Sequence, residues 1–183
     1  MSNQTEKTTV SITELVRVGN HKKVPAKIDT GADRSAIWAS DVEVTPEGIL
    51  KFKLFGPTSS HYTGEILETT DFNVVQIRSS NGTTQLRYRV NLPLRLSGHN
   101  IKASFNLSNR SAQHYPILIG RRTLRGKFIV DVGHKSIKQP DPINIELNKK
   151  LRADPYKFHR DIMSTPGKPA TNTPNPSNKE STK

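Results

Sequence analysis

Between Leu86 and Leu107 the chain alternates apolar and polar residues almost without a break. Leu86, Tyr88, Val90, Leu92, Leu94 and Leu96 fall on one side, and Arg87, Arg89, Asn91, Pro93 and Arg95 on the other. After a short polar link holding Gly98, the pattern resumes with Ile101, Ala103, Phe105 and Leu107 against Lys102, Ser104 and Asn106. Side chains of a strand point alternately to its two faces, so a period of two predicts a long hairpin with one buried face. Asn81-Gly82, inside "RSSNGTTQ", marks a second tight turn just upstream. Further strands are expected around Val24, Ala26 and Ile28, around Leu50, Phe52 and Leu54, and around Phe128, Val130 and Val132. Helical signals are few: one turn near Arg121–Arg125 and a weak segment between Ile143 and Arg152. The fold class is mostly β, a small barrel or sandwich.

Composition limits what joins that core. Hydrophobic residues make up 32% of the 183 residues, a low share. The end of the chain, "STPGKPATNTPNPSNKESTK", is nearly free of apolar side chains and cannot offset the entropy of ordering. The expected organisation is a flexible start over 1–11, one domain over 12–142, a weakly helical extension over 143–163 and a disordered tail over 164–183. No run of about 18 apolar residues is present, so no membrane span is expected. The start is no secretory signal, and with 0 cysteines there is no disulfide framework or thiol nucleophile. These features suit a cytoplasmic protein.

The stretch "AKIDTGADRSAIWAS" holds the first candidate for chemistry. Asp29, Thr30 and Gly31 follow a strand and precede small residues. Taken alone, the tripeptide fits a plain turn as well as a placed carboxylate. Much later, in "YPILIGRRTLRG", an apolar run ends at Gly120 and Arg121.

That order resembles the layout of retropepsin-like aspartic proteases. "IDTGADRSAI" looks like their Asp-Thr-Gly-Ala motif, and "ILIGRRTL" like their apolar-apolar-Gly-Arg motif. "SSNGTTQLRYRVNLPLRLSGHNIKASFNL" is similar to the flap and the two strands between them. More narrowly, "IDTGADRSA", "SSNG", "LRYRVNLPLRLSG", "LSNR" and "ILIGRRTL" resemble a bacterial family named as ATP-dependent zinc proteases, relatives of a retropepsin-like protein associated with glutamate-ligating ATP-grasp enzymes. The resemblance runs from about Ile12 to Gly133. It implies a small closed β-barrel with a flap hairpin and one short helix after Ile-Leu-Ile-Gly.

Hydrolysis of this type needs two carboxylates about 3 Å apart sharing one proton. The chain has one Asp-Thr-Gly, so a complete dyad requires Asp29 from each of two copies. By resemblance, Thr30 bonds across the dimer, Gly31 offers its carbonyl to substrate, and Asn81 and Gly82 form the flap tip. Ala32 and Asp33 then lie along the substrate, and Asp33 forms an ion pair with Arg121 beneath the loop, beside Gly120. Ala32 cannot donate a side-chain hydrogen bond to the carboxylate as a serine could, which places the working pH nearer neutral. Roughly forty residues, from about Trp38 to Gln76, separate the Asp-Thr-Gly loop from the flap, with "GPTSSHYTGE" inside them as a loop.

Zinc and ATP do not follow from the residues. The 6 histidines (His21, His61, His99, His114, His134 and His159) are scattered, with no His-Glu-x-x-His spacing. No Gly-x-x-x-x-Gly-Lys-Ser/Thr loop is present. No metal or cofactor is therefore expected. The net charge is +12, of which residues 148–183 carry +5 from 8 Lys and Arg against 3 Asp and Glu. So basic a chain prefers polyanions. Two functions stay open. One is a homodimeric aspartic endopeptidase, acting on peptides that include acidic or glutamate-modified ones. The other is a non-proteolytic module of the same fold that recognises an acidic polypeptide or nucleic acid. Aromatics, 6% of residues and not interleaved with basic ones, weigh against nucleic acid.

Overall fold

The alternating run becomes a hairpin, Thr84–Leu96 paired antiparallel with His99–Ser108, with Leu96 opposite His99 across the turn. In the computed structural model, which describes residues 6–78, 84–134, 137 and 145–163, these are the eighth and ninth of eleven strands. In chain order the strands are β1 (Thr8–Val10), β2 (Thr13–Val18), β3 (His21–Asp29), β4 (Ser35–Val44), β5 (Leu50–Leu54), β6 (Ile66–Thr69), β7 (Phe72–Arg78), β8 (Thr84–Leu96), β9 (His99–Ser108), β10 (Ile117–Gly120) and β11 (Phe128–Val130). The helices are α1 (Arg121–Leu124), α2 (Ile145–Ala153) and α3 (Pro155–Met163).

Six strands close on themselves. β3 pairs with β2, β2 with β8, β8 with β9, β9 with β4, β4 with β10, and β10 returns to β3. The result is the closed retropepsin-like β-barrel that the sequence implied. Alternation puts Val90, Leu92, Leu94 and Leu96 of β8 and Ala103, Phe105 and Leu107 of β9 inside. Phe52, Phe55, Ile37, Ile117 and Ile119 complete a core in which the largest side chains are almost wholly removed from water. Each such side chain contributes about 1.5–3 kcal/mol of transfer free energy, and this offsets the ordering of the strands.

Leu86 is the exception to the expected inner face, at 73% exposed. Before Arg89 the strand β8 has not yet joined β9 and pairs only with β7, from Thr84 opposite Arg78 to Tyr88 opposite Val74. The alternation persists there, but the strand has left the barrel wall that would cover it. Val132 likewise falls past the end of β11, at 79% exposed. The residues between Trp38 and Gln76 are mostly sheet: β4 continues to Val44 and leads through β5 and β6 as an antiparallel meander. Gly56 to Glu65 carries no strand or helix.

That segment is held by aromatic contacts. The fully buried Phe55 takes φ 65°, lies edge-on to His21 at 5.0 Å and meets His61 at 5.7 Å. Burial, reinforced by the nearby His21, pushes the His61 pKa below its ordinary value of 6.5. The folded protein thus resists a proton that the unfolded chain accepts. Stability from this site is complete above about pH 6.5 and declines as pH falls through the lowered folded value. The melting temperature is expected to drop between about pH 7 and 5. In His61→Phe, which keeps a ring against Phe55, that part of the pH dependence should disappear.

The chain divides into two units at Lys138, and the second holds α2 and α3. α3 begins with Pro155, whose missing N–H costs nothing at a first position. The Asp154 carboxylate accepts the Lys157 N–H at 2.9 Å, as a capping residue does. No helix among the described residues is long and apolar enough to cross a membrane.

Candidate active site

Asp29 is the last residue of β3, and β10 runs parallel beside it with Gly120 opposite Asp29 and Ile119 opposite Ile28. β4 pairs with the other edge of β10, antiparallel, with Leu118 opposite Ala36. The loop from Thr30 to Arg34 must therefore pass over the end of β10. There the Arg121 N–H donates to the Ala32 carbonyl at 2.8 Å and the Arg122 N–H to that of Asp33 at 3.2 Å. The crossing is so close that a Cβ on Gly120 would lie 2.5 Å from the Arg34 carbonyl carbon.

Ser35, noted in the sequence only as small, locks the crossing. Its hydroxyl accepts the Gly120 N–H at 3.1 Å and lies 2.8 Å from the Thr123 hydroxyl. Ser35 is 1% exposed, so Ser35→Ala strands a buried donor. This substitution is expected to cost about 1–3 kcal/mol in denaturant unfolding.

The half-buried Asp29 carboxylate accepts two backbone N–H groups on the same oxygen, Oδ1, from Gly31 at 3.0 Å and Ala32 at 3.1 Å. No hydrogen bond to Oδ2 forms among the described residues. One oxygen is thus oriented by the chain, while the other keeps its lone pairs free of a hydrogen bond among the described residues, as a general base requires. Thr30 and Gly31 are exposed at the loop tip. Asn81 and Gly82, expected at the flap tip, lie outside the described residues.

Asp33 and Arg121 meet at 3.2 Å, but Arg121 is one of three cations on that carboxylate. Arg122 Nε lies 2.9 Å from Oδ2 and Arg34 Nε 3.5 Å from it. The Arg122 hydrogen bond, followed by its charge and the Arg121 contacts, holds Asp33 below the usual carboxylate range. The Asp33 carboxylate is thus engaged by three guanidinium groups.

Two further arginines join the site, and sequence spacing gave no signal of it. Arg110 is half-buried in the loop after β9, its Nε donating to the Tyr115 carbonyl at 3.0 Å. Burial, then Arg87, act against its charge, whereas the Asp29 carboxylate favours it, so Arg110 lies within electrostatic reach of both Arg87 and Asp29. Arg89 donates from Nε to the Asn106 Oδ1 at 2.8 Å. The row Arg87, Arg89 and Arg95 therefore divides: Arg87 lies within reach of Arg110, Arg89 within reach of Arg34 and Arg122, and Arg95 lines a separate groove with Arg17 and Lys102. Among the described residues no three His, Cys, Asp or Glu side chains gather as metal ligands, so these residues do not form a zinc centre.

Comparison with known proteins bears on the whole arrangement. The chain is 30% identical over 113 residues to a probable alpha-L-glutamate ligase of Shewanella halifaxensis, covering 59% of this chain and 24% of that protein. It is equally similar, over 116 residues, to the same-named protein of Shewanella pealeana. The chain thus spans about a quarter of the length of these relatives. Its fold resembles the crystal structure of Lpg0085 of Legionella pneumophila, a protein of unknown function. That match has TM-score 0.55 and 21% identity, over 73% of this chain and 100% of the other. A family model described as "Retropepsin-like aspartic endopeptidase RimB" matches residues 10–141. This supports the retropepsin-like resemblance, and the family's description names an aspartic endopeptidase with no mention of zinc. By that match, over more than two thirds of its length, the chain belongs to the RimB-like family of retropepsin-like proteins.

Proposed function

We propose that the protein is an aspartic endopeptidase whose dyad is Asp29 from each of two copies. The observation that carries this reading is the Asp29 carboxylate itself, oriented through Oδ1 by two backbone N–H groups at a rigid strand crossing. With Asp33 committed to three arginines, the second carboxylate comes from a second chain. In the reaction the ionised carboxylate takes a proton from water as the water oxygen adds to the scissile carbonyl carbon. The protonated partner gives its proton to the carbonyl oxygen. Collapse of the tetrahedral intermediate breaks the C–N bond: the carboxyl that gained the water proton protonates the departing nitrogen, while one gem-diol hydroxyl returns a proton to the other carboxylate as the new carbonyl forms.

The substrate class proposed is an acidic or glutamate-modified peptide. Arg110, within electrostatic reach of Asp29, supplies a cation for the peptide's carboxylates. The glutamate ligase name of the similar Shewanella proteins points the same way. It also favours a second reading, in which the domain only recognises an acidic chain on behalf of a ligase. Hydrolysis of a peptide library that includes glutamate-rich members, at about pH 4 to 8, decides between them when oligomeric state is recorded on the same samples. Cleavage by a dimer, absent in Asp29→Asn, establishes the endopeptidase. Equal cleavage by both proteins, or none, leaves the binding module.

A further inference from the structure

On the outer face of the barrel, Arg17 of β2 stands directly opposite Arg95 of β8, both exposed. Like charges in that cross-strand position repel and weaken the sheet. Lys102 of β9 lies on the same face, two residues along from the position opposite Arg95. None of the three forms an ion pair among the described residues, and these side chains line one groove of about 830 Å³. Lys102 also lines the adjoining groove, which continues through Arg34, Arg122 and Lys127. The two grooves share Ile101 and Lys102 and so form one track of six cations, with no Asp or Glu lining either part.

We propose that this track binds the phosphate backbone of double-stranded RNA, independently of whether the Asp29 loop hydrolyses peptides. Arg34 and Arg122 are already paired with Asp33, so Arg17, Arg95, Lys102 and Lys127 are the cations that neutralise phosphates and release condensed counterions, the main sequence-independent source of such affinity. Three exposed amides, Asn20, Asn91 and Asn100, line the same groove. An amide both donates and accepts, and this suits the ribose 2′-hydroxyl, which a DNA backbone lacks. No aromatic side chain lines either groove. Single strands bound through base stacking are thus not served, whereas a duplex read by backbone and shape is. An acidic polypeptide would match the cations but leave the amides without a particular use.

The test is fluorescence anisotropy of the full chain with an RNA duplex of about 20 base pairs over a salt series. The wild type should bind, and Arg17→Ala/Arg95→Ala/Lys102→Ala should bind about tenfold or more weakly, with a salt slope reduced by about 2 to 3. A second variant, Lys149→Ala/Lys150→Ala/Arg152→Ala in α2, removes the same charge elsewhere and should keep the wild-type slope. Arg17→Lys/Arg95→Lys/Lys102→Arg, which keeps every charge, should bind nearly as the wild type and guards against a folding artefact. Failure of the wild type to bind, or equal losses in the two alanine triples, overturns the proposal. A DNA duplex bound as tightly as RNA overturns the assignment to RNA. A polyglutamate peptide bound through the same three residues as tightly as the duplex reassigns the track to acidic polypeptides.

Discussion

Asp29→Asn is expected to lower peptide hydrolysis by about a thousandfold or more while leaving the fold intact. Asn is isosteric, and its amide oxygen can still accept the Gly31 and Ala32 N–H groups that Oδ1 accepts. What it cannot do is take a proton from water, and loss of a positioned general base costs about 10²–10⁴ in rate. In the proposed dyad the same side chain supplies both members, so base and acid would be lost together. Mixing experiments sharpen the expectation. When wild type and Asp29→Asn exchange subunits at equal concentration, only about a quarter of random dimers keep two Asp29 carboxylates. Activity per wild-type chain should then fall by about half. If it is unaffected by mixing, each chain works alone and the shared dyad is wrong.

Gly120→Ala is expected to cost about 3 kcal/mol or more in unfolding free energy, read from the denaturant midpoint at unchanged slope. An added Cβ would lie 2.5 Å from both the carbonyl carbon and oxygen of Arg34 and 2.9 Å from the Ala32 oxygen. All three are backbone atoms of the Asp29 loop, fixed by the hydrogen bonds of Arg121 and Arg122 and by the Ser35 hydroxyl, so none can yield as a flexible side-chain tip would. Against a total stability of about 5–15 kcal/mol, such a cost approaches global unfolding. Where the variant still folds, the loop must be displaced, so hydrolysis should fall beyond what stability accounts for. Gly98→Asn provides the contrast. Gly98 sits at φ 85° with open space around its Cβ, and Asn tolerates that conformation better than most residues. Its cost should be about 1 kcal/mol or less.

Much of the barrel was legible because its information is local. The alternation at Val90 to Leu96 and Ala103 to Leu107 states which face is buried, and the turn residues between them state where the chain reverses. The same local logic failed where pairing partners decide. Leu86 continues the apolar side of β8 and is exposed because β8 has left the barrel there. β1, β2 and β6 carried no expectation. β1 and β6 are three and four residues long, so their alternation barely registers, and they exist through pairing with β11 and β5.

The sequence by itself determined that Asp29-Thr30-Gly31 ends a strand, that Gly120-Arg121 ends another, and that one chain carries a single Asp-Thr-Gly loop. These follow from residue type and near-neighbour pattern, which act within a few residues. Only the tertiary structure decided which charges share a neighbourhood. Beyond the Asp33–Arg121 pair that the resemblance implied, Asp33 is also held by Arg122, 89 residues away, and the Ser35 hydroxyl by partners 85 and 88 residues away. Arg87 and Arg95 are eight residues apart on the same strand, yet Arg87 lies within reach of Arg110 and Arg95 lines the outer track. A strand rises about 3.3 Å per residue, so eight residues carry a side chain about 26 Å along the barrel. Sequence sets what each position can do, and closure of the barrel sets what it does it with.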